Sequence, residues 1–480
     1  MQAEELDKSM MKGFFWIISG VTLQRLLEIA TKIVLVRLLL PAEFGIIATA
    51  YIVINLLKVL NETGISTAII RRQEADEESF STAFFFNLAI SFISLISVFF
   101  LAPLAAAYFK NSSLAPVIRV LSLVIFIESF FYVHNTLFLR DLNFKNKVIP
   151  DLVSAIIYSI FGITLVCLNF GLWSLVWSSL ARSAAAAVLY WKLNPWRPKA
   201  RFSYAKLRPL LGIGLKISAV KIIRYARNNV DYLVIAKFLG PVALGYYYVA
   251  YEVAHYCDAQ LSPLLSKVIF SAFGKLKHEE KLRRYYFKAV QYVAILGVFV
   301  SFSIFALSKW IVLFLYGPKW LPSVISMQFL SFLGGIKLLE NSVFNSLFVS
   351  KGNMVKFIKI NAAIFLISAI SVFTGVTRGV AGVAALFSCA GLLGSLMIVF
   401  SMRSIINHGW REYAKSLLPA VSSGLVILAL LWLPGILPYA GAAFLLLAAV
   451  SALIIYVIML KMWGIDIFEK IRSIRKLIIS

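Results

Sequence analysis

The sequence predicts an all-α polytopic membrane protein: about fourteen transmembrane helices, in two parallel-repeat six-helix lobes followed by two C-terminal helices. Three observations predict it: long apolar runs, basic residues gathered in alternate connections, and a repeat between the two halves. The 480 residues are 61% hydrophobic and 14% charged, well beyond the roughly half-apolar composition of soluble domains. The apolar residues fall in runs such as Phe80 to Leu101, Ala289 to Phe314 and Leu417 to Leu433. Such lengths match a hydrocarbon core about 30 Å thick. Lipid offers backbone groups no partner, so each run must be a helix or part of a closed barrel, and continuous apolarity without alternation excludes the barrel.

Helix 1 is expected at 13–38. It carries Arg25, Glu28 and Lys32 and lacks a small-residue cleavage motif, so it stays as a membrane helix instead of leaving as a signal peptide. The three charges fall within an arc of about 60°. Helix 2, at 42–69, follows a Leu-Pro corner, because Pro41 cannot continue one helix but suits the first turn of the next. It aligns Asn55, Lys58, Glu62 and Ser66. Helices 3 to 6 follow at 80–104, 116–139, 148–168 and 172–191. Helix 7, at 209–239, brings Lys216, Arg224, Arg227 and Asp231 into an arc of about 80°. Helix 8, at 242–270, aligns Glu252, His255, Asp258 and Ser262. The remaining six are expected at 289–315, 322–349, 357–375, 379–402, 415–433 and 438–461. This divides the chain into an N-lobe (1–191), a cytoplasmic linker (192–208), a C-lobe (209–405), and helices 13 and 14 with a basic tail (406–480).

The net charge of +25 is a matter of topology once its placement is read. Lys and Arg cluster in alternate connections, for example Arg140, Lys145 and Lys147; Arg197, Lys199, Arg201 and Lys206; and Lys275, Lys281, Arg283 and Arg284. The opposite connections carry little beyond Lys110, Lys309, Lys319 and Arg378. The positive-inside rule then puts both termini in the cytoplasm. With no soluble basic module to hold a duplex, nucleic acid is excluded as a partner.

The repeat lies at an offset of 200 residues: Val34, Leu39, Pro41, Gly45, Ala50, Tyr51 and Val53 recur as Val234, Leu239, Pro241, Gly245, Ala250, Tyr251 and Val253. An offset of six helices is an even number of crossings, so the halves run parallel about an axis along the membrane normal, as in transporters.

Charges inside the helices point to function, since each is costly against lipid and must meet water, a partner or an interface. Arg25, Lys32, Lys58, Lys216, Arg224 and Arg227 read as a cationic cavity suited to a phosphate or pyrophosphate. The competing reading makes Arg25 with Glu28, and Arg227 with Asp231, structural ion pairs, while Arg37, Lys237 and Lys267 snorkel to the interface. Glu252, His255 and Asp258 form a second candidate site, for a proton or cation. His134 and Glu128 read as helix-to-helix hydrogen-bonding groups. No phosphate-binding G-x-x-x-x-G-K-[ST] loop is present, and His278-Glu279 lacks the second histidine of a zinc helix, Leu282 standing in its place. Cys167, Cys257 and Cys389 are too scattered for a disulfide or metal framework. No cofactor is expected.

The Arg37-Leu-Leu-Leu-Pro-Ala-Glu-Phe-Gly45 corner, the Gly64-Ile-Ser-Thr-Ala-Ile-Ile-Arg71 helix end and the Arg140-Asp-Leu-Asn-Phe-Lys145 loop resemble the polysaccharide transporter branch of the multidrug/oligosaccharidyl-lipid/polysaccharide flippase superfamily. The likeness is closest to bacterial Wzx-type exporters of exopolysaccharide, O-antigen and teichuronic acid. It implies a non-enzymatic flippase of the cytoplasmic membrane that moves a polyprenyl-pyrophosphate-linked oligosaccharide by alternating access. Membrane lipids surround it, and a polysaccharide polymerase and glycosyltransferases are the implied partners. In related lipid II flippases, first-helix cations bind the substrate's phosphates, a role that falls here to Arg25 and then Lys32. A drug or small-molecule exporter is the alternative, which the excess of cations disfavours for cationic drugs. A membrane-embedded glycosyltransferase or polymerase would need acidic pairs or a large extramembrane loop.

Overall fold

The computed structural model describes residues 3–61, 69, 76–276, 278–407, 409–432, 442–463 and 465; within its helices, the side chains of residues 3–18, 209–220, 354–355, 432 and 442–449 are outside that description. The chain forms two compact units, Met1–Gly245 and Tyr246–Ser480. Both are built from helices, with no strand among the described residues. Eight of the helical segments there are long and apolar enough to cross a membrane.

The first unit holds α1 (Ala3–Leu38), α2 (Pro41–Asn61), α3 (Glu77–Tyr108), α4 (Leu114–Arg140), α5 (Phe144–Cys167), α6 (Trp173–Leu193) and α7 (Tyr204–Phe238). Their ends follow local chemistry. Pro41 starts α2, and the Glu43 carboxylate accepts from the Leu40 amide at 2.7 Å, satisfying a donor at the helix entrance. Asp76 caps α3 by accepting from the Ser79 amide at 3.0 Å and the Ser79 hydroxyl at 2.6 Å. Asn143 caps α5 in the same way, from the Asn146 amide at 3.3 Å.

The α6–α7 connection is strapped down by its basic residues. Arg197 donates to the carbonyls of Trp191, Asn194 and Trp196 and lies over the Trp191 ring. Lys199 pairs with Glu77, and Lys206 with Asp76 at 2.9 Å, which places two cations at the N-terminus of α3, one on the capping carboxylate and one on a first-turn carboxylate. The Lys237 ammonium sits 3.9 Å from the centre of the Tyr108 ring and donates to the Tyr108 carbonyl, at the C-terminal end of α3.

The two Leu-x-Pro-x-x-x-Gly corners of the repeat pack against each other inside this unit. A Cβ on Gly45 would overlap the Pro241 carbonyl, and one on Gly245 would overlap the Pro41 carbonyl. The invariant element of the two corners is therefore a close backbone approach that glycine alone permits.

The second unit is reached through α8 (Gly240–Ala254) and comprises α9 (Tyr256–Lys275), α10 (Glu279–Ile311), α11 (Ser323–Leu339), α12 (Asn345–Ser350), α13 (Met354–Gly375), α14 (Gly379–Met402), α15 (Trp410–Trp432) and α16 (Ala442–Met462). Two helices expected to be continuous are interrupted. The helix expected at 242–270 breaks at His255, whose backbone leaves the helical range at φ −98°, ψ 5°. Gly334 of α11 faces this break so closely that a Cβ there would overlap the Ala254 carbonyl. The helix expected at 322–349 contains a π-helical turn, Glu340–Phe344, between α11 and α12. The core of this unit includes Tyr286, Val290, Leu338, Phe344, Phe348 and Val399.

Candidate functional site

In the first unit, charged and polar groups from five helices gather in one interior region. The Glu28 carboxylate of α1 accepts from the Arg182 guanidinium of α6 at 2.8 Å and from the Gln24 amide at 3.1 Å. The Arg182 guanidinium also lies 5.9 Å from the Tyr158 ring centre on α5. Lys58 of α2 pairs with Glu128 of α4 at 2.8 Å. The Tyr51 hydroxyl shares a hydrogen bond of 2.8 Å with Ser179 and lies within electrostatic reach of Arg182, Lys32 and Glu128. These four charged side chains keep between 31% and 36% of their surface exposed. They border accessible space rather than a sealed core, as ionised groups at membrane depth require.

This geometry corrects one sequence expectation. Arg25 was the proposed structural partner of Glu28, one turn away, but the carboxylate is taken by Arg182, 154 residues distant. Arg25 itself is half-buried and makes no ion pair or hydrogen bond among the described residues. Lys32 is half-buried as well, one turn further along α1. Arg182 and Glu128 are the residues that sequence reasoning passed over as site components. Their signal was only that each is a charge inside an apolar helix.

The basic stripe of α7 divides by depth. Arg224 is exposed, Lys221 half-buried, and Arg227 and Asp231 buried, 4% and 0% exposed. The side chain of Lys216 lies outside the described residues, as do Glu62 and Ser66 of the stripe expected on helix 2. Tyr225 ties α7 to α2, its hydroxyl donating to the Ile52 carbonyl at 2.7 Å. His134 is a core residue, fully enclosed and packed against Trp191 and Trp196 with ring centres 4.9 and 5.2 Å away.

The second candidate site falls in the second unit, and its members separate. Glu252 is exposed, whereas His255 is buried and stacked on Tyr251 with ring centres 3.8 Å apart. Beyond the break, the Asp258 carboxylate accepts from the Ser262 hydroxyl at 2.5 Å and from the Asn341 amide at 3.0 and 3.1 Å. Lys337 and Glu340, both buried, form an ion pair of 3.4 Å on the same interrupted helix as Asn341. A buried acid–base pair and a half-buried carboxylate and amide thus lie where one helix breaks and another opens into a π turn. Such turns recur at functional sites because they redirect side chains and leave backbone groups under-bonded. The described residues contain no group of His, Cys, Asp and Glu able to hold a metal ion.

Residues 34–325 match the sequence profile of the family described as Polysaccharide biosynthesis protein. Among characterised sequences, the chain is similar to the lipopolysaccharide biosynthesis protein WzxC of Escherichia coli K12, with 28% identity over 80% of this chain and 79% of that one. It is also similar to the teichuronic acid biosynthesis protein TuaB of Bacillus subtilis 168, with 20% identity over 77% and 78% of the two chains. Among solved structures, the lipid II flippase MurJ in an inward closed conformation superposes with a TM-score of 0.77, covering 94% of this chain and 98% of MurJ at 15% identity. A multidrug resistance MATE transporter of the MOP superfamily, facing inward, reaches 0.61 over 80% and 94% at 17% identity. At these identities the two structures speak for the fold.

Proposed function

This chain belongs to the polysaccharide biosynthesis protein family, and from that membership we propose that it is a flippase. It translocates a polyprenyl-pyrophosphate-linked oligosaccharide repeat unit across the bacterial cytoplasmic membrane by alternating access, for exopolysaccharide or O-antigen synthesis. The curated relatives are named for lipopolysaccharide and teichuronic acid synthesis, and MurJ for flipping lipid II. It acts as a transporter and not as an enzyme, between the glycosyltransferases that build the unit and the polymerase that consumes it. Fourteen crossings with both termini in the cytoplasm fit the alternation of basic connections. Cysteine labelling in a Cys-free background tests this: a cysteine near Arg201 stays protected from outside and one near Lys319 is labelled, and the reverse overturns it.

The observation that carries the substrate reading is Arg25, a half-buried guanidinium on a membrane helix with no protein partner among the described residues. A charge in that position needs water or an anion. Pyrophosphate supplies the anion, and the planar guanidinium binds two of its oxygens at once. Lys32, one turn along α1, and the exposed Arg224 of α7 extend the cationic surface, with Lys216 on the same helix. Lys58 already shares its charge with Glu128, so it contributes when the pair opens. Arg227, enclosed beside Asp231, sets the field from behind. The paired groups keep the region hydrated without adding net charge, which leaves the binding energy to the cations that the substrate neutralises.

Energy comes from an ion gradient or from removal of product, since no nucleotide loop exists. The coupling ion, a proton or a small cation, exchanges at Asp258 beside His255, where Ser262 and Asn341 hold the carboxylate, with Glu252 at the accessible end.

The test is flipping of a labelled lipid-linked oligosaccharide in proteoliposomes. Arg25→Ala abolishes it with normal protein abundance, and Arg25→Lys restores part. Asp258→Asn removes the response to an imposed pH or Na+ gradient while downhill flipping persists. Wild-type rates in Arg25→Ala would overturn the phosphate role, and no flipping by the wild-type chain of any polyprenyl-linked sugar would overturn the function.

A further inference from the structure

The first turns of α10 and α15 enclose a cleft of about 620 Å³, lined by Glu280, Arg283, Arg284, Lys288, Glu412 and Lys415 among others. None of these belongs to the transport sites above. Arg283 closes the cleft's inner wall: its guanidinium makes two hydrogen bonds to the two oxygens of Glu412, tying α10 to α15. That pair cancels one charge of each sign. Arg284, Lys288 and Lys415 remain against the single carboxylate of Glu280, a local excess of two positive charges. The three cations are exposed and make no ion pair among the described residues.

The surroundings decide what kind of anion fits. Arg284 and Lys288 stand one turn apart on α10, so the guanidinium and the ammonium reach the same side of the cleft. Across it, Lys415 shares a face of α15 with Leu418 and Leu425, all three within an arc of about 80°. Leu418 and Leu425 are 50% and 53% exposed. A cationic slot thus opens directly onto an uncovered apolar strip of the same helix, where the charged end of the helix gives way to its membrane-spanning part. A soluble anion uses only the slot. A molecule with a phosphate head and acyl chains uses both, and basic pockets between helices at a membrane surface favour anionic lipid head groups for this reason.

We propose that the α10–α15 cleft is a binding site for the phosphate head group of an acidic phospholipid, separate from the oligosaccharide path. The lipid's phosphate lies between Arg284, Lys288 and Lys415, Phe287 packs under its glycerol backbone, and a chain runs along Leu418 and Leu425. Seated there, the lipid bridges two helices already joined by Arg283 and Glu412.

Native mass spectrometry of the full chain, delipidated and titrated with phosphatidylglycerol or phosphatidylcholine, tests this. Wild-type protein retains one tightly held phosphatidylglycerol that phosphatidylcholine does not replace. The triple variant Arg284→Gln, Lys288→Gln, Lys415→Gln binds it roughly 100-fold more weakly, as three interfacial cations require. A control variant, Lys267→Gln, removes an exposed cation elsewhere and leaves retention unchanged. The melting temperature of lipid-free protein, equal in all three, separates lost binding from lost folding; if the triple variant melts early, Lys288→Gln alone is titrated and loses about fivefold. Equal retention by wild type and charge variants overturns the site. Equal affinity for glycerophosphoglycerol, which has no chains, overturns the lipid and leaves a soluble-anion site.

Discussion

Gly45 stands against the carbonyl of Pro241 with no room for a side chain, and Gly245 stands in the same way against Pro41. The contact is reciprocal because the two corners are copies of one sequence motif. Overpacking a core costs about 1–3 kcal/mol when neighbouring side chains can shift. Here the obstacle is main chain on both sides, so the cost lies at or above the upper end. Gly45→Ala and Gly245→Ala each lower the melting temperature and membrane abundance. Gly274 of α9 has open space where its Cβ would be, so Gly274→Ala is neutral or stabilises by about 0.5–1 kcal/mol. Equal thermal melts for Gly45→Ala and Gly274→Ala would show that the corner tolerates a methyl group.

The corner was legible in the sequence because its signal is local: proline ends one helix, glycine follows four residues on, and the pattern recurs. Helical class and the apolar spans were legible for the same reason, through runs that need no partner to be recognised. The partners of the intrahelical charges were not. Glu28 has a basic residue on its own helix, three positions back, yet it bonds to Arg182 from a helix 154 residues away, and nothing in either segment encodes which pairing wins. The interruption at His255 was also hidden, since no proline or glycine marks it; Gly334, brought in by tertiary packing, lies against it. Periodicity puts Glu252, His255 and Asp258 on one stripe only while the helix is continuous. Once it breaks, exposure separates the first from the second.

The Glu28–Arg182 and Lys58–Glu128 pairs yield a second prediction. Breaking a fully buried pair costs about 3–5 kcal/mol because one charge is left stranded. These side chains remain about one-third exposed, so water relieves part of the loss and the cost is smaller, on the order of 1–2 kcal/mol. Arg182→Ala and Glu28→Ala each reduce membrane abundance, and the double variant recovers most of it. Abundance in the double variant as low as the sum of the single losses would show that the pair is not a unit.

The strap between α6 and α7 is sensitive to acid. The Ser79 hydroxyl, followed by Lys206, holds the Asp76 carboxyl well below the usual carboxylate range. A depressed value in the folded chain means that ionised Asp76 contributes stability above its unfolded value, about 3.9. That contribution fades as pH falls below this value toward the folded one. The group is exposed, so the effect is local ordering and not global stability. Amide exchange in residues 198–204 therefore accelerates, relative to its intrinsic rate, as pH drops from 5 toward 3. Asp76→Asn shows the fast exchange at every pH. Identical pH dependence in wild type and Asp76→Asn would show that Asp76 is not the source of the acid response.

Depth along α7 separates two arginines that the sequence placed on one stripe. Arg224 is exposed and Arg227 is buried one turn from the fully enclosed Asp231. Replacing Arg224 by Ala truncates an exposed side chain, a change that costs the fold about 0.5 kcal/mol or less, while the proposed cationic surface loses an anion-binding group. Replacing Arg227 by Ala removes the buried cation one turn from the enclosed Asp231; where the two charges compensate each other, the loss is about 3–5 kcal/mol. Arg224→Ala is then normal in abundance and defective in flipping of a labelled lipid-linked oligosaccharide, and Arg224→Lys regains part of the rate. Arg227→Ala is poorly accumulated, whereas Arg227→Ala with Asp231→Ala accumulates near normally, because an absent buried pair costs less than a broken one. Flipping per molecule in that double variant decides the role of Arg227. A rate close to wild type makes it structural, and a rate near zero in well-folded protein makes it a contributor to substrate binding despite its depth. Full activity in Arg224→Ala would remove the accessible end of α7 from the substrate's path.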